Sequence, residues 1–312
     1  MVFMGTISLI IPVINEENKI EQCLEAVFNQ SFQPFEVILV DGHSKDSTVK
    51  RAKRYPIVVL FEDYHSRAGA CQMGLENAHG EFVAFTDADC LPQKDWLKNL
   101  IKEFDEGVVG VGGGIKNIGE TFWEKSINFT TRTFLGSANS VQGRLFNDKR
   151  HVKSISGCNS IYRKADLVKV GGFNIALSTA EDTELNGKML KIGKLLYTPD
   201  AIILHNHQRS LKQFGKRMYQ YGYGRAKIRL WDLQAIPPIL ILFLPAIIKF
   251  DPILFFIIMV IYIFSLLVMG MKFVFEEKNI KYFISVPIVY ILEHSLYTIG
   301  FWRGIISSLG DI

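Results

Sequence analysis

Cysteine is scarce in this chain of 312 residues: only Cys23, Cys71, Cys90 and Cys158 occur, at spacings that form neither a zinc-binding nor a thiol redox motif. So few thiols fit a reducing compartment and read as small buried residues. The first apolar strand begins at Thr6, which leaves no room for a cleavable leader, so the soluble part is expected not to cross a membrane. The soluble half has no internal repeat and no low-complexity tract. Net charge is only +4, with the basic cluster next to apolar segments, which argues against a nucleic-acid partner. Pro12 to Glu17 lacks the glycines and basic residues of a phosphate loop, which argues against nucleotidyl transfer. Charge is absent altogether from Pro252 to Met271, and a soluble core hairpin does not explain such a run.

The composition changes near Trp231. Before it, charged and apolar residues mix as in a soluble domain long enough for a sizeable core. After it come Ile236 to Ile248, Pro252 to Met271 and Phe283 to Ile306. The second and third can cross a hydrocarbon core of about 30 Å at about 1.5 Å per residue. The first is short and contains Pro237, Pro238 and Pro245, so it is a tilted span, a re-entrant segment or an interfacial helix. The expected division is 1–207 catalytic, 208–232 basic interfacial helix, and 233–312 membrane domain with two to three transmembrane helices. A transporter would need more spans and more polar residues within them. Between Gln208 and Trp231 stand Arg209, Lys212, Lys216, Arg217, Arg225, Lys227 and Arg229 with no acidic residue, which places that side in the cytoplasm. A multi-pass cell-membrane protein with a cytoplasmic catalytic domain is expected.

The soluble part alternates strands and helices: Thr6 to Ile14, Glu16 to Gln30, Phe35 to Asp41, Asp46 to Arg54, Pro56 to Phe61, Ala68 to Ala78, then Glu81 to Thr86. This βα rhythm predicts an α/β domain with a mostly parallel sheet and ligands at the carboxyl ends of its strands. Asp87-Ala88-Asp89 lies at such an end, and two carboxylates one residue apart suit a hard divalent cation that bridges protein and diphosphate. Pro12 to Glu17 and Asp41 to Ser47 are expected to join it in one crevice.

The runs from Ile10 to Glu17, Val40 to Thr48 and Thr86 to Cys90, followed by Ala180-Glu181-Asp182, resemble glycosyltransferase family 2 in order and spacing. Glu181 to Leu185, Tyr197-Thr198-Pro199-Asp200, Arg209-Ser210-Leu211 and Tyr221-Gly222-Tyr223-Gly224-Arg225 resemble, more narrowly, the membrane-attached exopolysaccharide glucosyltransferases of succinoglycan type. Departures are Gln72 where the family usually has Asn, Lys188 where Arg is common, and no Gln-x-x-Arg-Trp motif, which argues for a single transfer. The resemblance implies the GT-A nucleotide-sugar-binding fold, a UDP- or GDP-sugar donor and a divalent cation, Mn2+ or Mg2+.

On that resemblance Asp41 receives the base, while Pro12, Val13, Asn15 and Glu16 wall the nucleotide pocket. Glu16 and Glu17 serve equally well as acids at a helix start. Arg67 faces the diphosphate. Asp89 is the first choice of metal ligand, with Asp87 a second ligand or a contact to ribose or a metal-bound water. His205 or His207 completes the metal shell or touches the diphosphate. Asp182 is the general base beside Glu181, whose like charge raises the pair's apparent pKa. One base without an internal nucleophile means inversion. Gly157 lets donor or acceptor approach the backbone, or marks a bulge. A degenerate scaffold would have lost carboxylates that here survive.

Leu211, Phe214, Met218 and Tyr221 recur at helical spacing among basic residues, which predicts an amphipathic helix at the bilayer surface. It anchors to anionic lipid or, through Arg209, Arg217 and Arg225, holds the head group of a lipid-linked glycan acceptor such as a polyprenyl-linked one. Phe122, Trp123, Ile127 and Phe134 read as a second membrane-side element or a core helix. Glu293, His294 and Arg303, inside the last apolar segment, suit a head-group or helix-pairing role. A lipid monophosphate acceptor needs no base, so the Glu181-Asp182 pair favours a sugar hydroxyl over polyprenyl- or dolichyl-phosphate sugar synthesis.

Overall fold

The computed structural model describes residues 5–138, 145–206 and 209–309. His207 lies outside them. In chain order the elements are β1 (Ile7–Val13), α1 (Ile20–Phe28), β2 (Glu36–Asp41), α2 (Thr48–Ala52), β3 (Val58–Phe61), α3 (Arg67–Asn77), β4 (Phe82–Phe85), β5 (Cys90–Pro92) and α4 (Trp96–Ile101). There follow β6 (Val108–Ile118), α5 (Phe122–Thr131), α6 (Phe134–Ser137), β7 (Arg150–Val152), β8 (Ser160–Arg163), α7 (Lys164–Lys169), α8 (Glu181–Met189) and β9 (Lys194–Asn206). The chain ends in α9 (Leu211–Lys227), α10 (Ile236–Phe250), α11 (Pro252–Glu277) and α12 (Tyr282–Leu309). It forms two compact units, one of Met1–Asn117 with Ser140–Asn206 and one of Ile118–Asn139 with His207–Ile312.

In the first unit one sheet runs in the order β3-β2-β1-β4-β8-β6-β9-β5, with β7 beside β9. The run β3-β2-β1-β4 is parallel; β8 runs against β4 and β6, and β5 and β7 run against β9. The sheet is therefore mixed rather than mostly parallel. Helices still punctuate its second half, with α4 between β5 and β6, α5 and α6 between β6 and β7, and α7 and α8 between β8 and β9, but the strands they join are not neighbours in the sheet, so none of these joins makes a parallel βαβ unit. Alternate residues of β1 enter opposite cores: Ile7, Leu9 and Ile11 pack with Leu24 and Trp96, whereas Ile10 packs with Cys71, Leu75 and Leu185. Register aligns the strand ends, with Val13 opposite Asp41 and Asp41 opposite Phe61. Each βα loop therefore leaves the sheet at one edge.

In the second unit Leu233–Phe250, Pro252–Glu277 and Tyr282–Leu309 are helices long and apolar enough to cross a membrane. The segment left open as span, re-entrant or interfacial is thus helical, a 3-10 turn over Leu233–Ala235 leading into α10, with Pro237 and Pro238 in the first turn of α10, where their missing N–H groups cost least, and Pro245 inside it. Phe122, Trp123, Ile127 and Phe134 belong to α5 and α6, which pack within this unit: Ile127 joins Phe214, Met218 and Val289, while Phe122 stacks on Tyr282 at 4.8 Å. The apolar stripe of α9 meets α12. A methyl group added at Gly222 would lie 2.1 Å from the Tyr297 carbonyl oxygen, and one added at Gly300 would lie 2.0 Å from that of Tyr219. Only glycine allows two helix backbones that close. His294 bridges the Tyr262 hydroxyl at 2.9 Å and the Leu135 carbonyl at 3.0 Å, which gives it a helix-pairing role.

Candidate active site

The loops after β1 and β2 are laced together. The Asn15 amide donates to Ser44 Oγ at 2.8 Å, and Asn15 Oδ1 accepts from the Lys45 amide at 2.8 Å. The Glu16 amide donates to Thr48 Oγ1 at 2.8 Å, and the Ser47 amide donates to Glu17 Oε2 at 3.0 Å. Pro12 and Val13 are buried at the end of β1, and Asp41 is fully buried at the end of β2. The Asp41 carboxylate accepts from the Ser44 hydroxyl at 2.5 Å and the Ser44 amide at 2.8 Å. Those bonds fix a turn at the end of β2. Glu16 pairs with Lys19 at 3.2 Å. Burial lifts its carboxyl above the usual range against the pull of Lys19, and the charge of Asp89 adds to the lift.

Arg67 opens α3, whose N-cap Ser66 accepts from the Gly69 amide. Its guanidinium donates to Asp87 Oδ1 at 2.7 Å and to Glu181 Oε1 at 2.7 Å. One arginine therefore ties the carboxylates after β4 to those that begin α8. A Cβ at Gly157 would stand 2.8 Å from Arg67 Nη1, so that glycine makes room for the guanidinium. The Gly157 amide donates to Asp182 Oδ2 at 3.1 Å, and the Thr183 amide donates to Oδ1 at 2.7 Å. Ala180, just before, takes the left-handed conformation at φ 63°, uncommon for a residue with a side chain and a mark of a locally determined turn. Burial raises the Glu181 carboxyl; Arg67 opposes that rise and Asp182 adds to it.

Asp87, Asp89 and His205 bring one donor atom each within 4.8 Å of one another. His205 Nε2 lies 3.0 Å from Asp89 Oδ1. Two carboxylates and an imidazole are a donor set that suits Mn2+ and Mg2+, so the residues fit the cation that the motif implies. Burial works against the imidazolium of His205, yet Cys158 and the hydrogen bond with Asp89 outweigh it and hold the ring above its ordinary range. The site also contains a group that sequence reasoning missed. Cys90 and Cys158 place their sulfur atoms and a His205 nitrogen within 4.8 Å of one another. Cys158 is drawn below the ordinary thiol range by a hydrogen bond from Cys90, against the effect of burial, whereas burial pushes Cys90 up. The signal available was Cys90 directly after Asp89, but its partner comes from the antiparallel β5/β9 register, which sets Cys90 opposite His205.

The two departures in the motifs have structural work. Gln72 Oε1 accepts from the Phe173 amide at 2.8 Å, and Lys188 Nζ donates to the Gly172 carbonyl at 2.5 Å, so both hold the turn after α7. Arg209, Arg217 and Arg225 lie in the second unit. Arg209 precedes α9, Arg217 stands over the Tyr221 ring at 5.5 Å, and Arg225 pairs with Asp232.

Residues 8–171 match the family described as glycosyl transferase family 2. A Methanococcus voltae protein named dolichyl N-acetyl-alpha-D-glucosaminyl phosphate 3-beta-D-2,3-diacetamido-2,3-dideoxy-beta-D-glucuronosyltransferase is 28% identical over 97% of this chain and 98% of its own. Glycosyltransferase AglE of Haloferax volcanii is 29% identical over 74% of this chain and 75% of its own. Among solved structures, the mannosyltransferase PcManGT from Pyrobaculum calidifontis, in complex with GDP-Man and Mn2+, matches with a TM-score of 0.60 at 19% identity over 99% of this chain and 88% of that one. GalNAc-T7 with UDP, GalNAc and Mn2+ matches with a TM-score of 0.54 at 14% identity over 73% of this chain and 51% of that one. These structural likenesses carry the fold, which is GT-A.

Proposed function

The chain belongs to glycosyl transferase family 2, and from that premise we propose that it moves a sugar, with inversion, from a UDP- or GDP-sugar to a hydroxyl of a lipid-linked glycan. The observation that carries this reading is Arg67, 2.7 Å from both Asp87 and Glu181, which joins the cation corner to the acidic pair at the start of α8. Asp41 faces the base, and the loop from Pro12 to Glu16 lines the nucleotide. Asp87, Asp89 and His205 hold a divalent cation, which supplies electrostatic stabilisation of the departing diphosphate. Arg67 adds positive charge at the same corner. Asp182, its two oxygens fixed by the amides of Gly157 and Thr183, takes the proton from the acceptor hydroxyl. With that base on the acceptor side and no enzyme nucleophile, displacement occurs once and inverts the anomeric centre.

Two findings support a lipid-linked sugar as acceptor. The Methanococcus voltae relative has dolichyl N-acetyl-alpha-D-glucosaminyl phosphate in its name, a sugar already carried on a lipid phosphate. Three helices of this chain are long and apolar enough to cross a membrane, so the enzyme resides where such acceptors are. The basic residues of α9 and Lys272, Lys278 and Lys281 support a cytoplasmic side for those segments, and in this reading the catalytic unit faces the cytoplasm with them. In this reading Arg209, Arg217 and Arg225 engage anionic head groups, of the acceptor or of the surrounding lipid. Dolichyl-phosphate sugar synthesis is the rival reaction, and the Glu181-Asp182 pair disfavours it because a phosphate acceptor is already an anion.

The test is a thermal-stability screen of the purified protein with UDP- and GDP-sugars, each with and without Mn2+ or Mg2+. A donor that stabilises only with the cation is the expected result. No shift with any donor overturns the reading.

A further inference from the structure

Cys90, Cys158 and His205 are three cation donors in one buried cluster, and the transferase reading uses only the last. Cys90 is 0% exposed, Cys158 4% and His205 7%. Their donor atoms lie within 4.8 Å of one another. Tetrahedral zinc with about 2.3 Å sulfur bonds sets its sulfurs about 3.8 Å apart, so the observed cluster needs at most a small contraction. Two of the groups come from paired strands, Cys90 at the start of β5 and His205 opposite it on β9, and Cys158 comes from the buried turn two residues before β8. Two thiols packed as apolar filler do not need an imidazole between them and a carboxylate, yet His205 is held at 3.0 Å from Asp89. A carboxylate that orients a histidine is the usual support of a histidine that binds metal.

We propose that Cys90, Cys158 and His205 form a second cation site, selective for a thiophilic ion of the Zn2+ class, which shares His205 with the Asp87–Asp89 corner. Donor chemistry separates the two sites. Thiolates select zinc-like ions, whereas carboxylates suit Mn2+ and Mg2+. Because one imidazole serves both triads, and two dications this close repel each other, a thiophilic ion weakens binding of the hard one. The site is thus an inhibitory switch set by which metal is present. Its competitive half rests on the cation reading of Asp87 and Asp89; the thiolate half does not.

The experiment uses the full-length protein in detergent, without donor, and Co2+ as an optical probe. One equivalent of Co2+ is expected to produce a thiolate-to-Co2+ charge-transfer band in the near ultraviolet that Zn2+ abolishes and Mg2+ does not. Cys90→Ser and Cys158→Ser should each remove most of that band. Mn2+ affinity, followed by the paramagnetic resonance of the free ion, should fall about tenfold or more when Zn2+ is bound to the wild type, and not in the serine variants. If a serine variant fails to fold, the wild-type band and its Zn2+ displacement still decide the thiolate site. Absence of the band, or a band that survives in folded forms of both variants, overturns the proposal. A Zn2+-sensitive band in a protein that binds no Mn2+ supports the thiolate site and overturns the Asp87–Asp89 reading alone.

Discussion

At the carboxyl ends of the strands, Arg67, Asp87, Glu181, Asp89 and His205 are held by one another's charges, whereas along α9 and α12 it is Gly222 and Gly300 that bring two backbones together. In the first region position depends on side-chain chemistry, so a change of one atom alters charge and leaves the scaffold. In the second, position depends on the absence of a side chain, so the smallest addition strains the packing. The catalytic unit should therefore lose activity before stability when its motif residues change, and the membrane unit should do the reverse.

The largest departure is expected from Asp89→Ala, which removes a donor of the proposed cation site. Metal-dependent turnover should fall by about two to three orders of magnitude while the thermal midpoint changes little. A loss of stability in step with activity would instead make Asp89 a structural residue. Arg67→Ala blurs the contrast on purpose, since it leaves Asp87 and the buried Glu181 without their shared cation. A cost of about 3 kcal/mol in unfolding free energy is expected alongside the loss of activity, with Arg67→Lys recovering stability better than activity. Denaturant unfolding of both variants checks it. Gly222→Ala and Gly300→Ala test the other region. Each should destabilise the helical unit by about 1–3 kcal/mol in a detergent unfolding assay, with donor binding retained.

The smallest effect concerns the opposite end of the parallel strands, where no functional group is placed. Burial pushes the Glu36 carboxyl up, but hydrogen bonds from Ser8 Oγ and the His79 amide, each 2.6 Å long, outweigh it and hold the group below its usual range. A depressed folded pKa contributes stability that is present above the unfolded value of about 4.3 and is lost as pH falls through the folded value. Acid titration of unfolding should show the wild type losing more stability than Glu36→Gln below about pH 4.3. Equal slopes would contradict that sign.

The strand-end motifs were legible because each is a polar group set where an apolar run stops, as at Asp41 and Asp87. What they converge on was less so. Arg67 and Glu181 lie 114 positions apart, and only the sheet order brings them together. His205 meets Cys90 through antiparallel pairing of β5 with β9, and Cys158 reaches both from the turn before β8, so no spacing along the chain announces the cluster. Along α9, Leu211, Phe214, Met218 and Tyr221 have the spacing of any amphipathic helix, and that spacing is the same whether lipid or another helix covers the stripe. The glycines of Tyr221-Gly222-Tyr223-Gly224 were the available clue: in a helix a glycine costs about 1 kcal/mol, and close packing explains its presence.

The central claim is that Asp182 deprotonates a sugar hydroxyl on a lipid carrier. The direct measurement is transfer of labelled sugar, from whichever nucleotide sugar stabilises the protein, to dolichyl-phosphate-linked N-acetylglucosamine and to dolichyl phosphate, by wild type and Asp182→Asn. The account predicts a cation-dependent product on the lipid-linked sugar, reduced about 10²- to 10⁴-fold in the variant, and little product on the bare lipid phosphate. Efficient transfer to dolichyl phosphate that Asp182→Asn leaves intact would contradict it.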